Sequence, residues 1–309
     1  MTRPLVSIII PSYNQGRFIR ETIDSVLAQD YRPIEVLVLD GASKDETVDV
    51  LRSYGEREEL KWWSEPDRGV VDAVNKGLAR ATGTIQAIQS SDDTYLQGAI
   101  SAVVAAFEAD PALGLVFGDV EYIDASSNLI GRTRLTAFEL SDYLAKFLFI
   151  PQPAAFFTRA AVERVGDWNP QIAYAPDADH YLRIATYFPT RKLERLLGQY
   201  RYHEEQRDRV GGKIAHHWEG AVRAWIARES PPPRLRRSAE LGIHLTNAHY
   251  LSDEHWLRRM IELYRAVFVS PSVVFRPDFP RRELIPGRAP IWRFLSRAKR
   301  ALGLKPRGT

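Results

Sequence analysis

In a chain of 309 residues without a cysteine, any metal must be held by carboxylates, histidines, waters or ligand oxygens. The pair Asp92-Asp93 is the first place to look, because it directly follows a short β-branched run, Thr84 to Ile88, and Ser90-Ser91. Two such carboxylates suit a hard cation, Mg²⁺ or Mn²⁺, which takes one or two protein carboxylates and fills its shell with waters and phosphate oxygens. A cation so held neutralises the negative charge that develops on a departing diphosphate. An isolated Asp-Asp after a strand is more often a turn or a helix cap, so the pair needs company. Two further clusters supply it. Pro11-Ser12-Tyr13-Asn14 ends the run Leu5 to Ile10, and Asp40, just before Gly41, ends the run Val36 to Leu39. A carboxylate at 40 can accept a hydrogen bond from a base imide N–H or a ribose hydroxyl. On its own it reads as a turn residue.

The elements that must position these groups follow from hydropathy. Short β-branched runs alternate with helical spacing in Phe18 to Ala28, Thr47 to Tyr54 and the face Val71, Val74, Leu78. That rhythm predicts an α/β fold with a Rossmann-like, mostly parallel central sheet flanked by helices. Ligands of such sheets bind beyond the carboxyl ends of the strands, which is where all three polar clusters fall. Past His203 the alternation stops. Trp218, Val222 and Trp225 share a helical face, Pro231-Pro232-Pro233 interrupts, and a second helical stretch runs from about Leu235 to Val269. Prolines at 271, 277, 280, 286 and 290 rule out a long helix afterwards. The expected organisation is a nucleotide-binding catalytic domain over 1-205 and a mainly helical C-terminal extension over 206-309 that ends in a basic tail.

Composition narrows the function classes. Hydrophobic residues make up 45% of the chain, enough for a sizeable core. The net charge of +3 conceals an asymmetry: about ten Lys and Arg from Arg276 to Thr309 face only Asp278 and Glu283, which leaves the body roughly −5. No nucleic-acid partner is expected from such a body. Met1 to Ile10 lacks the longer apolar core of a signal peptide, and no stretch approaches ~18 uninterrupted apolar residues, so a cytoplasmic location is expected. The tail segment Ile291 to Leu302 is basic and aromatic at partly helical spacing. It either lies on an anionic membrane surface or packs on its own domain or on a second subunit of a homo-oligomer.

Val6 to Asn14 (VSIIIPSYN), Leu39 to Thr47 (LDGASKDET), Ser64 to Gly77 (SEPDRGVVDAVNKG) and Ser91 to Tyr95 (SDDTY) together resemble the inverting glycosyltransferases of family 2, over about residues 5 to 205 and in the family's order. The resemblance implies the GT-A fold and a Mn²⁺ or Mg²⁺ cofactor. It implies that Asp93 ligates the metal, that Asp92 contacts the ribose or reaches the metal through water, and that Asp40 reads the base. Pro11 and Tyr13 would border base and ribose. Arg68 resembles the family's basic group at the base or diphosphate; the alternative is a surface salt bridge. Ser43 and Asp45 read as helix caps, and Asn75-Lys76-Gly77 as structural.

Asp177, in Tyr174 to His180 (YAPDADH), falls where the family carries its catalytic Asp, although Pro176 replaces the residue that often precedes it. Proline suits the first helical turn, which would put Asp177 at a helix N-terminus. The helix dipole there favours the ionised form, and a second carboxylate at Asp179 opposes it. Both could instead simply cap the helix. His203 resembles the family's histidine near the metal, or is an ordinary strand-end histidine, and Gln152 would line the sugar pocket. Trp62-Trp63 read as packing residues rather than a sugar platform. The expected function is transfer of a sugar, with inversion, from a nucleotide-sugar donor, foremost a UDP-sugar, to a hydroxyl of a glycan or lipid-linked acceptor in polysaccharide or glycolipid biosynthesis. The alternatives are a sugar nucleotidyltransferase, which usually carries a Gly-rich basic phosphate loop where this chain has only Gly16 and Arg17, or a non-catalytic nucleotide-sugar-binding protein.

Overall fold

A computed structural model describes residues 3–146, 148–204, 211–251, 255–277 and 279–284. The basic tail segment from 291 to 302 and the polar stretch 205–210 lie outside the described residues. The chain divides into two compact units, one of residues 1–143 with 147–209, the other of 144–146 with 210–309.

The first unit is built on a nine-stranded sheet. Its leading half joins β1 (Val6–Ser12), β2 (Ile34–Asp40), β3 (Leu60–Ser64) and β4 (Ile85–Ile88) in the order β3-β2-β1-β4, all parallel. Ile8, Ile9, Ile10, Val36 and Val38 are fully buried, as β-branched runs covered on both faces should be. The helices α1 (Gly16–Leu27), α2 (Thr47–Arg52) and α3 (Val70–Arg80) connect these strands. In α3, Gly77 lets the helix lie against Ile9 and Leu39, and a Cβ there would strike both side chains.

Beyond β4 the pairing becomes mixed, with parallel and antiparallel neighbours side by side. After β5 (Thr94–Tyr95) and α4 (Ala99–Ala109) come β6 (Leu115–Asp124), β7 (Leu129–Arg132), α5 (Leu140–Leu144), β8 (Ala155–Thr158), α6 (Arg159–Val165), α7 (Pro176–Tyr187) and the long β9 (Thr190–Tyr202). β8 pairs antiparallel with β4 and β6, while β9 runs parallel to β6 and antiparallel to β5. This last pairing brings residues near 200 beside residues near 94. Thr94 faces Gln199 and the two side chains share a hydrogen bond of 2.7 Å.

The second unit comprises α8 (Gly211–Glu229), α9 (Pro233–Tyr250) and α10 (Trp256–Val269). Trp218, Val222 and Trp225 are buried on one face of α8, as their spacing predicts. The stretch read as continuous from 235 to 269 is two helices, α9 and α10, and Pro233 opens the first of them. His244 Nδ1 on α9 meets Glu262 Oε2 on α10 at 2.7 Å, and Asn247 Nδ2 donates to Glu219 Oε2 on α8 at 2.9 Å. The outward face of α10 is apolar, with Leu257, Ile261, Tyr264 and Phe268 all exposed at helical spacing, Phe268 by 90%. No helix among the described residues is long and apolar enough to cross a membrane.

Candidate active site

The ends of the parallel strands set the floor of the site. Ser12 at the end of β1 is in register with Asp40 at the end of β2, and Asp40 with Ser64 at the end of β3. Asp40 is buried and well supplied with donors: Oδ2 accepts from Ser64 Oγ at 2.6 Å and from Ser43 N at 3.1 Å, and Oδ1 accepts from Ser43 Oγ. Ser43 Oγ in turn accepts from Asn14 N at 2.8 Å, and Asn14 Oδ1 accepts from Lys44 N at 2.8 Å. Ser43 is therefore no helix cap. It ties the loop after β1 to the loop after β2 and fixes the Asp40 carboxylate between them. Asp45 does act as a cap, for two helices: it accepts from Gly16 N at the start of α1 (2.9 Å) and from Thr47 N at the start of α2 (3.0 Å). Burial pushes its carboxyl up, but the hydrogen bonds from Thr47 and Gly16 outweigh this and hold it below its ordinary value.

A shallow recess beside Asp40 is bordered by Leu39, Trp63, Glu65, Asp67, Ala73 and Lys76. Trp63 and Lys76 thus border the recess, although the sequence reads both as structural. A Cβ at residue 41 would come within 2.6 Å of Asp67 Oδ2 and 3.3 Å of the Tyr13 ring, so those side chains would have to shift to admit one. Tyr13 is exposed and Pro11 half-buried at the same edge. Arg68 projects into solvent, its side chain 89% exposed, and pairs with Asp72 at 2.8 Å on the first turn of α3. In this arrangement it forms the surface pair and makes no contact with Asp40.

Asp92 and Asp93 follow β4, and β9 holds them. Asp93 is buried, and its Oδ1 accepts from Arg201 N at 2.8 Å. His203 Nε2 meets Asp92 Oδ2 at 2.9 Å, and the imidazole packs on the Phe18 ring with centroids 4.8 Å apart. Gln152 donates from Nε2 to the Ile88 carbonyl at 3.2 Å, which latches the residues before β8 to the end of β4. Two carboxylates and an imidazole thus adjoin, a donor set that fits Mn²⁺ or Mg²⁺. Among the described residues no group of three or more such side chains is disposed to hold an ion unaided. A cation that completes its shell with diphosphate oxygens and water needs no such group.

Asp177 comes from α7, where Pro176 occupies the first turn as expected and Ala175 before it is left-handed, φ 59°. Tyr143 donates to the Ala178 carbonyl at 3.0 Å and pins this helix start. Asp179 does not act on Asp177 as an unmatched charge, because its carboxylate is paired with Arg183 Nε at 2.9 Å inside the protein. Burial pushes the Tyr181 phenol up, and Asp177 and Tyr95 add to the effect; burial also pushes up Tyr95, with Asp93 adding. Both tyrosines are buried. Left-handed residues other than glycine recur here: Asn14, Ala42 and Ala175 sit in the loops that carry the site, and Ser127 in a turn beside it. Such strain is held only where the surroundings over-determine it.

The model of Glycosyl transferase family 2 matches residues 7–166, more than half of the chain. The chain belongs to glycosyltransferase family 2. Over 187 residues, 59% of this glycosyltransferase and 70% of the relative, it is 33% identical to a PGL/p-HBAD biosynthesis glycosyltransferase of Mycobacterium tuberculosis. It is 30% identical over 236 residues to an uncharacterized glycosyltransferase of Rickettsia felis, covering 72% of this chain but only 38% of that longer protein. Among solved structures, S. aureus TarS 1-349 in complex with UDP-GlcNAc superposes with a TM-score of 0.67 over 87% of this chain and 82% of that one, at 15% identity. The mannosyltransferase PcManGT from Pyrobaculum calidifontis, in complex with GDP-Man and Mn²⁺, gives 0.64 over 96% and 85%, at 22% identity. The glycosyltransferase has the GT-A fold.

Proposed function

We propose that the chain transfers a sugar from a nucleoside-diphosphate donor, foremost a UDP-sugar, to an acceptor hydroxyl with inversion at the anomeric carbon. The observation that carries the reading is the carboxylate pair Asp92-Asp93, the first half-buried and the second buried, held by Arg201 and His203 at the same sheet edge as Asp40. Asp40 and the recess take the base, bordered by Pro11 and Tyr13. Arg68 reaches base or diphosphate once it leaves Asp72, which a solvent-exposed pair permits at little cost. Asp93 would hold Mn²⁺ or Mg²⁺, with Asp92 and His203 alongside, and when bound the cation supplies charge neutralisation for the leaving diphosphate. Gln152 lines the sugar pocket.

Asp177 removes the proton of the attacking hydroxyl, on the face of the sugar opposite the diphosphate. Its place in the first turn of α7 sets its carboxylate at the positive end of the helix dipole, and Arg183 pairs with the neighbouring Asp179. The acceptor is a glycan or lipid-linked hydroxyl, and the basic tail carries the enzyme to the cytoplasmic face of an anionic membrane. A donor panel with Mn²⁺ or Mg²⁺, read as release of free nucleoside diphosphate, tests the reaction. Asp93→Asn and Asp177→Asn should each abolish transfer, and only Asp93→Asn should greatly weaken metal-dependent nucleotide binding. Near-full transfer by Asp177→Asn would refute the base assignment.

A further inference from the structure

The chemistry read above uses Asp92, Asp93 and His203 but leaves out the residue that touches both carboxylate-bearing residues. Arg201 is among the largest fully buried side chains of the protein, with a side-chain exposure of 0%. A guanidinium taken out of water is stable only where charge-assisted hydrogen bonds replace its hydration. Here Nη2 pairs with Glu21 Oε2 on α1 at 2.7 Å, and Nη1 donates to Ser127 Oγ at 2.8 Å and to the Asp124 carbonyl at 3.2 Å. The Phe18 ring lies 5.0 Å from its central carbon. Nε donates to the Asp92 carbonyl at 2.7 Å, and the backbone N–H of the same residue donates to Asp93 Oδ1 at 2.8 Å.

The anchors are themselves fixed. The 124–128 turn is closed by the Asp124 carboxylate, which accepts from Ser126 N at 2.8 Å and Asn128 N at 2.9 Å, with Ser127 left-handed at φ 63°. One planar fork thus joins α1, the β6–β7 turn and the loop after β4. Lysine, a point charge on a flexible stem, cannot reproduce those directions. We propose that Arg201 is a positioning residue, which together with Glu21 sets the carboxylates of Asp92 and Asp93 for the cation–diphosphate end of the donor. The inference rests on the reading that this pair holds that end. Arg201 acts on metal-dependent binding, because its Nε and backbone N–H both meet the Asp92-Asp93 segment.

The test is calorimetric titration of the full chain with UDP and with GDP, each with Mn²⁺ and with EDTA, for wild type, Arg201→Lys, Glu21→Gln and the double variant. Partners behind metal-binding groups typically change affinity by about 10–100-fold. Arg201→Lys should weaken Mn²⁺-dependent binding by about tenfold or more while changing binding in EDTA by less than about twofold. Glu21→Gln, at a side chain 46% exposed, keeps the fold and should shift binding the same way by a smaller factor. Because the two residues act as one unit, the double variant should be weakened by less than the product of the two. Glu21→Gln carries the test if Arg201→Lys does not fold. Folded variants that bind like wild type with Mn²⁺, or that lose affinity equally with and without it, overturn the positioning role and leave the site reading standing. Wild type that shows no Mn²⁺ dependence with either nucleotide overturns both.

Discussion

Asp40 shows what a residue's type declares and what it conceals. A carboxylate after a strand and before Gly41 was legible as a site candidate from sequence. Its supporting partners were not, because a serine three residues on reads equally well as a cap, and only the fold shows its hydroxyl bridging Asn14 and Asp40. Ser43→Ala leaves an oxygen of the buried Asp40 carboxylate and the Asn14 backbone N–H without that partner, a loss worth about 1–2 kcal/mol. Nucleoside-diphosphate affinity should fall by about five- to thirtyfold, with release of the nucleotide at saturating donor changed far less. Unchanged affinity in a calorimetric titration would remove Ser43 from the support of the base site. Arg201 was concealed for a different reason. A basic residue between two tyrosines near a strand end looks like a surface residue, and its burial depends on Glu21, 180 positions away.

At the scale of elements, the parallel half of the sheet and the start of α7 follow directly from periodicity and proline placement. The antiparallel entries of β5, β7 and β8 do not, because a strand of two to four residues carries too little pattern to declare its partner. Asp45 illustrates how one side chain couples elements that sequence treats separately, since it caps α1 and α2 together. Its folded carboxyl lies below its ordinary value, so its stabilising contribution is complete above about pH 4 and is lost as pH falls through that lowered value. Asp45→Ala should lower unfolding free energy at pH 7 by about 1 kcal/mol, the size of an exposed cap. The gap from wild type should narrow as denaturation is repeated from pH 4 down to pH 2. A gap independent of pH would show that the charge plays no part.

For the molecule as a whole, the buried face of α8 was legible, because a helix must hide one apolar stripe. The second stripe, on α10, was not, since helical spacing of apolar residues does not say which of them stay exposed. Tyr264 on that stripe donates to the Leu284 carbonyl at 2.6 Å. The membrane reading makes a direct demand on this region. Deleting residues 285–309 should abolish co-sedimentation with anionic vesicles, while wild type should ignore neutral ones. Equal sedimentation of the truncated and full chains would sink the membrane role of the tail.

The clamp on Asp93 also bears on the order in which the protein is made. Arg201 is 108 residues downstream of the carboxylate it meets, and β9 is the last strand of its sheet. A nascent chain that has emerged as far as β5 already carries both aspartates but not the Arg201 and His203 that meet them. Folding from the N-terminus can therefore build most of the nucleotide floor early, while the diphosphate end waits for the final strand. On the proposed function, completion of synthesis through residue 203 becomes a condition for engaging the donor at its diphosphate end.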